Sequence, residues 1–265
     1  MTAASDFLAL HRGDGFVLPN VWDPGTARIL EQVGFPALAT TSVGVAFALG
    51  RPDGSLDRAT MLEHVARIAA SVSVPVTADL ESGYGATPED VAETISLAAE
   101  LGVVGANLED QVDHELFEVD EAAARIEAAR DAAPAGTFVI NARTDVYFGM
   151  GAGDPFAETI ERATRYVDAG ADCIFVPGVD EADTIRRLAA EIPAPINIVA
   201  GLTATRLDAP TLFSLGVRRV SLGGSIARAS LSLVERAGRE LLESGTLGFL
   251  DGAISYADLQ RRFKP

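Results

Sequence analysis

Val74-Pro75-Val76-Thr77-Ala78-Asp79-Leu80-Glu81-Ser82-Gly83-Tyr84-Gly85-Ala86-Thr87-Pro88-Glu89-Asp90-Val91 holds one complete structural unit of the chain. A short apolar, β-branched run ends in an acid, and a glycine-bearing loop follows. Thr87-Pro88-Glu89-Asp90 then reads as a helix start, with an N-cap hydroxyl, a proline at N1 and acids in the first turn. Downstream, Val91, Ile95, Ala98 and Leu101 recur at the spacing of one buried helix face. Gly102 stands where a left-handed residue closes a helix.

The same unit recurs on both sides. Strands are predicted at 16–20, 37–41, 74–79, 105–109, 138–143, 173–177, 196–200 and 217–223. Asp154-Pro155 repeats the helix start, Phe156, Ile160, Ala163 and Val167 repeat the apolar face, and Gly34, Gly170 and Gly216 repeat the stop. Apolar strands alternating with helices predict a parallel sheet covered on both faces. Eight such units in 265 residues match a closed barrel. The expected class is α/β: a single (β/α)8 TIM barrel domain over 1–265, with 244–265 as a C-terminal extension. The competing open, doubly wound sheet would carry a glycine-rich dinucleotide loop after its first strand, where this chain reads Asn20-Val21-Trp22-Asp23-Pro24-Gly25. The extension carries Leu247, Phe249, Leu250, Ile254, Tyr256 and Phe263, which need a surface to cover.

Composition narrows the function. Lys and Arg number 21 against 38 Asp and Glu, a net charge of −17, and the only lysine is Lys264. Nucleic acid and anionic membranes, both bound through basic side chains, are excluded as partners. Schiff-base chemistry is excluded as well, because it needs a lysine inside the barrel. No apolar run approaches the ~18 residues of a membrane span, and the first ten residues lack a basic and then apolar leader, so a cytoplasmic location is expected. The single cysteine, Cys173, lies in an apolar run and is expected to pack as a small hydrophobe.

Barrel enzymes place reactive groups where strands end. Strand three ends in Asp79-Leu80-Glu81, strand four in Asn107-Leu108-Glu109-Asp110-Gln111 and strand five in Asn141-Ala142-Arg143-Thr144-Asp145. Asp79, Glu81 and Glu109 on neighbouring strands would repel one another unless a cation sits among them. Oxygen ligands without histidine or cysteine suit Mg²⁺, or Mn²⁺, rather than zinc, since His11, His64 and His114 all fall outside the strand ends. The alternative use of such acids is capping, but Glu89 and Asp90 already serve the helix after strand three. Capping or a supporting role suits Asp110 and Asp145. Arg143 is the fixed cation of the site, suited to a substrate carboxylate or to developing negative charge. The alternative is an ion pair with Asp145 or Glu109. The segment 42–56, with Gly44, Gly50 and Gly54, is expected to form a lid that brings Asp53 over the mouth. Gly223-Gly224-Ser225, opening the last helix, leaves a phosphate-binding barrel as an alternative, or simply close helix packing.

Several motifs in order resemble the isocitrate lyase and phosphoenolpyruvate mutase superfamily, over about 17–243. They are Asn20-Val21-Trp22-Asp23-Pro24-Gly25-Thr26-Ala27-Arg28, Thr40-Thr41-Ser42 with Gly50-Arg51-Pro52-Asp53, the segment from Ala78 to Gly85, Leu108-Glu109-Asp110-Gln111 and Ala142-Arg143-Thr144-Asp145. The resemblance implies a Mg²⁺ barrel acting on 2-oxo or enol carboxylates. Asp79 would hold the metal, directly or with Glu81 and Glu109 through its waters. Thr41 and Ser42 would meet the substrate carboxylate, and Arg143 and Asp53 would act in catalysis. Trp22 and Asn197 are expected to face the ligand from strands one and seven. It further implies a homotetramer or homodimer in which the eighth helix, near 225–243, packs on or is swapped with a neighbour.

Two departures matter. The lyase branch has Lys-Arg-Cys-Gly-His after strand four, where this chain has Gln111-Val112-Asp113-His114-Glu115-Leu116; the phosphonopyruvate branch has a histidine after strand six, where this chain has Pro177-Gly178. The expected activity is therefore C–C cleavage or decarboxylation of a small 2-oxo dicarboxylate, of the oxaloacetate or substituted malate type. A C–P phosphonomutase or phosphonopyruvate hydrolase, and a non-catalytic 2-oxo acid binding protein, are the alternatives.

Overall fold

A computed structural model describes residues 2–204 and 207–264; Met1, Thr205, Arg206 and Pro265 lie outside it. The elements of the first half are α1 (Ala3–Leu10), β1 (Phe16–Leu18), β2 (Asn20–Val21), α2 (Pro24–Val33), β3 (Leu38–Thr40), α3 (Ser42–Ala48), α4 (Arg58–Ala69), β4 (Val76–Asp79), α5 (Pro88–Glu100), β5 (Gly105–Glu109), β6 (Gln111–Val112), β7 (Glu115–Leu116) and α6 (Val119–Ala132). In the second half come β8 (Val139–Arg143), α7 (Pro155–Asp168), β9 (Cys173–Phe175), α8 (Ala182–Glu191), β10 (Ile196–Val199), α9 (Ala209–Ser214), β11 (Arg219–Ser221), α10 (Ser225–Glu243) and α11 (Tyr256–Arg262).

Nine segments form one parallel sheet in the order β1-β11-β10-β9-β8-β5-β4-β3-β2. The two ends of that order are halves of a single strand broken at Pro19. β1 pairs with β11 and β2 with β3, so the first strand joins both edges and closes the barrel of eight. Proline has no N–H for the ladder, but the Pro19 carbonyl still accepts from the Ala39 amide at 3.0 Å. The helix punctuation is as expected. Thr87 and Asp90 form a capping box at the start of α5, and Gly34, Gly102, Gly170 and Gly216 all take positive φ after helices. Inside the lower end of the barrel, α1 inserts Phe7, stacked edge-on with His11 and Phe16. Burial, with Arg219 close by, lowers the His11 pKa to about 3, so the ring is neutral at pH 7. Cys173 is buried, and burial pushes its thiol up to about 12, which leaves it inert.

One local expectation changes. Residues 42–48 are helix α3 rather than lid. The Thr41 side chain accepts from the Gly44 amide at 3.4 Å as the N-cap, and Gly44 is glycine because a Cβ there would stand 2.5 Å from Thr41 Cγ2 and 3.1 Å from Trp22 Cβ. What reads as a loop signal is close packing, and the loop proper begins at Leu49. After β5, β6 and β7 form a tight antiparallel hairpin whose turn residues Asp113 and His114 have φ of 51° and 67°, the left-handed pair of a two-residue primed turn.

The last barrel helix stands apart. Of the 19 residues of α10 only Ala227 is buried, while Leu231, Val234 and Leu242 are exposed. The extension folds back onto α2, where Arg28 donates to the carbonyls of Arg262, Phe263 and Lys264. Among the described residues no helix is long and apolar enough to cross a membrane.

Candidate active site at the carboxyl ends of the strands

Three adjacent strands deliver the polar rim. Asp79 ends β4, and its Oδ2 accepts from the Ser42 amide at 2.9 Å and from Ser42 Oγ at 3.0 Å. Its own amide donates to Thr40 Oγ1 at 2.9 Å, so the end of β3 fixes the end of β4. Glu109 on β5 and Arg143 on β8 are register partners, and Arg143 Nη1 lies 2.7 Å from Glu109 Oε2. The other edge of the guanidinium grips Asp145 with two bonds, Nε to Oδ1 at 2.6 Å and Nη2 to Oδ2 at 2.9 Å. The alternative reading of Arg143, an ion pair with Asp145 or Glu109, describes both contacts, and they hold its charge in a fixed position at the mouth. Glu81 follows in the loop with φ of 50°; its carbonyl accepts from the Glu109 amide at 2.9 Å.

Asp110 supports this arrangement from behind. Its Oδ1 accepts from the Asp145 amide at 3.0 Å, while Oδ2 takes the Tyr166 hydroxyl at 2.7 Å and Arg162 Nη1 at 3.3 Å. A buried chain thus runs from α7 through Asp110 and Asp145 to Arg143.

The electrostatics follow from crowding acids out of water. Burial first, opposed by Arg143 and reinforced by Asp145, Asp79 and Glu81, raises the Glu109 pKa to about 8. Burial and then Asp79 and Asp53 raise Glu81 to about 7, opposed by the nearby Tyr84 hydroxyl and by Arg143. Asp53 sits at an exposed loop tip, yet its carboxyl is close enough to the site that burial and Asp79 raise its pKa while Arg143 lowers it. Tyr84 is pushed up by burial and by Glu81.

Among the described residues no three acidic, histidine or cysteine side chains converge tightly enough to hold an ion directly. The donor set nevertheless fits a hard cation that keeps its waters. Among the described residues, Glu81 Oε1 is buried with no hydrogen-bond partner. Mg²⁺ characteristically takes one or two carboxylates directly and retains several waters.

The remaining expected residues are placed as follows. Trp22 is half-buried against the main core. Thr41 is spent on capping α3, and Ser42 on Asp79. Asn197 is fully buried on β10, and neither amide atom has a hydrogen-bond partner among the described residues. At the start of α10, the Leu222 and Gly223 amides both donate to Asn20 Oδ1, and a Cβ on Gly224 would stand 2.8 Å from Val43 Cγ1. That favours the close-packing reading of the glycine pair over a phosphate site. Two residues escaped the sequence reading. Gln111 donates from Nε2 to Glu109 Oε1 at 2.9 Å, and Tyr84 shares the rim with Glu81. Both lie inside quoted motifs, but nothing in the sequence marks them apart from their neighbours.

A closed parallel barrel with acids and one arginine at the carboxyl ends of its strands defines a class of enzyme-like scaffold. The comparisons with known proteins narrow it. The phosphoenolpyruvate phosphomutase family matches residues 7–242, and the chain belongs to it, within the isocitrate lyase/phosphoenolpyruvate mutase superfamily. A probable 2-methylisocitrate lyase of Corynebacterium glutamicum is 34% identical over 249 residues, covering 88% of this chain and 80% of that protein. The crystal structure of a protein from Burkholderia cenocepacia J2315 described as a lyase/mutase is 45% identical, with a TM-score of 0.93 over 98% of this chain and 96% of that one. An oxaloacetate acetylhydrolase, solved with its product oxalate, is 28% identical with a TM-score of 0.87, over 98% of this chain and 93% of that one. The relatives of this superfamily that carry lyase and hydrolase names support an enzyme.

Proposed function

We propose that the protein is a Mg²⁺-dependent C–C bond lyase or decarboxylase acting through an enolate on a small 2-oxo carboxylate of the oxaloacetate or substituted malate type. The observation that carries this reading is the rim itself, where Asp79, Glu81 and Glu109 face the immobilised guanidinium of Arg143. The relatives that cleave 2-methylisocitrate and oxaloacetate support C–C chemistry beside an oxygenated carbon.

Asp79 would hold the metal directly, with Glu81 and Glu109 oriented toward its waters. A bound Mg²⁺, or Mn²⁺, would supply Lewis acidity to the carboxylate and carbonyl oxygens of the substrate. The side chains of the chain do the rest. In oxaloacetate, loss of the carboxylate at C4 as CO₂ leaves its electron pair on C3, conjugated into a pyruvate enolate. Arg143, already aligned by Asp145 and Glu109, presents positive charge to that oxyanion without reorganising, an effect worth about 3 kcal/mol for one donor. Thr41 and Ser42 would bind the substrate carboxylate once Asp79 turns to the metal and releases the Ser42 amide and hydroxyl it now accepts from, with Trp22 and Asn197 lining the ligand. Asp53, on the loop after α3, would close the mouth and exclude water, which would otherwise protonate the enolate early. The short β6–β7 hairpin stands where the lyase branch carries its cysteine, so the reading assigns no acid there.

The exposed apolar face of α10 supports assembly into a homotetramer or homodimer in which this helix packs on a neighbouring copy. A cytoplasmic location completes the reading.

The test is a Mg²⁺-dependent screen of oxaloacetate, substituted malates, isocitrate and phosphonopyruvate, with pyruvate C3–H exchange in D₂O and Asp79→Ala as the blank. Turnover or exchange that needs both metal and Asp79 is expected. Binding without exchange would make the protein a 2-oxo acid binder, and turnover of phosphonopyruvate alone would make it a C–P enzyme.

A further inference from the structure

We infer that Arg125, on the outer helix α6, is a positioning residue that clamps the loop after β4 in the conformation that turns Glu81 into the site. The inference rests on the reading of Glu81 as part of a metal site.

This loop is conformationally expensive. Glu81, Gly83 and Tyr84 all lie in the left-handed region, with φ of 50°, 97° and 56°, and a residue with a Cβ resists that region by about 1–2 kcal/mol. Such strain persists only where the surroundings impose it. Packing imposes part of it: a Cβ on Gly83 would lie 2.7 Å from Val91 Cγ2, and one on Gly85 would lie 2.0 Å from Asp90 Cβ. The loop therefore sits flush on α5, whose buried Thr94 donates to the Gly83 carbonyl at 2.7 Å.

Arg125 imposes the rest from the next helix. It is 4% exposed, and its two terminal nitrogens donate to consecutive loop carbonyls, Nη1 to Gly85 at 3.1 Å and Nη2 to Ala86 at 2.6 Å. The guanidinium carbon lies over the Phe117 ring, 4.0 Å from its centroid, and the group is tethered by Glu121 at 3.3 Å. A buried guanidinium spent on two neutral carbonyls, with one half-exposed carboxylate beside it among the described residues, is a poor stabiliser of a core. It is well suited to fixing a backbone path. Its remaining nitrogen, Nε, is buried without a partner among the described residues. Arg125 also lines a cavity of about 10 Å³ shared with Ser82, Glu109, Asp110 and Arg143, the size one water needs. The clamp therefore reaches the back of the catalytic rim.

Arg125→Lys keeps the charge and the Glu121 partner but loses the fork; Arg125→Met removes both. Hydrogen exchange of the metal-free proteins, followed by mass spectrometry, should show amides 80–87 exchanging at least tenfold faster in either variant, with the barrel strands unchanged. Mn²⁺ titration should show a dissociation constant raised about tenfold, while kcat at saturating Mn²⁺ stays within twofold. Exchange at 80–87 equal to wild type, or faster exchange spread evenly over the barrel, overturns the inference, as does unchanged Mn²⁺ affinity in a variant whose loop has loosened. If the wild-type protein binds no Mn²⁺, the metal reading fails, and the exchange comparison still decides whether Arg125 clamps the loop.

Discussion

Replacing Arg143 by methionine should separate what this residue does for the fold from what it does for chemistry. The substitution keeps much of the side-chain volume but leaves Asp145, which is fully buried, without its two-bond partner, and Glu109 without its 2.7 Å contact. Removing one member of a buried pair costs about 3–5 kcal/mol because the other charge stays uncompensated. For a chain of this size, about 2–4 °C of melting temperature is expected per kcal/mol, so Arg143→Met should melt roughly 6–20 °C lower. Adding Asp145→Asn removes the stranded charge and should recover at least half of that loss. Activity should not recover, because the cation facing the enolate is still missing, and a deficit of about 10²–10³ in kcat is expected for one oxyanion donor. Thermal melts and steady-state kinetics on the two single variants and the double variant form the assay. A single variant as stable as wild type, or a double variant with restored turnover, would refute this account of Arg143.

The pH dependence of stability follows from the same crowding. Glu81 and Glu109 titrate near 7 and 8 in the folded protein against about 4.3 in an unfolded chain. The folded state therefore binds more protons between those values, and raising the pH through that window destabilises it, by on the order of a few kcal/mol. Melting in EDTA should fall from pH 6 to pH 8.5, and saturating Mg²⁺ should shrink the fall; a rise over that range would contradict the shifts. Tyr166→Phe removes the 2.7 Å bond to Asp110 and should cost about 1 kcal/mol, with a several-fold drop in kcat and little change in Mn²⁺ affinity, read by denaturant melts, kinetics and titration. Leu242→Glu, at a position 88% exposed on α10, should lower the sedimenting mass if that face is an interface; an unchanged mass would place the interface elsewhere.

The architecture was legible because enough βα units repeat the same physical grammar of apolar run, capped start and apolar face, with Gly34, Gly102, Gly170 and Gly216 marking four of the stops. The acids of the rim were legible for a related reason, since strand ends are fixed points in a barrel. Segment 42–56 was misjudged where glycine carried two meanings. Gly44 permits close approach to Trp22 inside a helix, whereas Gly50 and Gly54 take positive φ in the loop that follows. The β6–β7 hairpin was hidden because its turn is Asp113-His114 rather than a glycine pair. Gln111 and Tyr84 make their contacts with Glu109 and Glu81 only two and three residues away, but through the bend of the chain after each strand, and Arg125 reaches carbonyls about forty residues back, so no apolar or capping pattern announces them. The apolar stripe of α10 is readable, but periodicity says only which face needs cover and not what supplies it.

The most direct test of the central claim is anomalous diffraction from crystals soaked with Mn²⁺ and oxalate, a stable mimic of the enolate of pyruvate. The account predicts a single strong manganese peak bonded to the Asp79 carboxylate, with Glu81 and Glu109 on its waters and Arg143 against the oxalate. Manganese elsewhere, or oxalate bound at the rim with no metal beside Asp79, would contradict it.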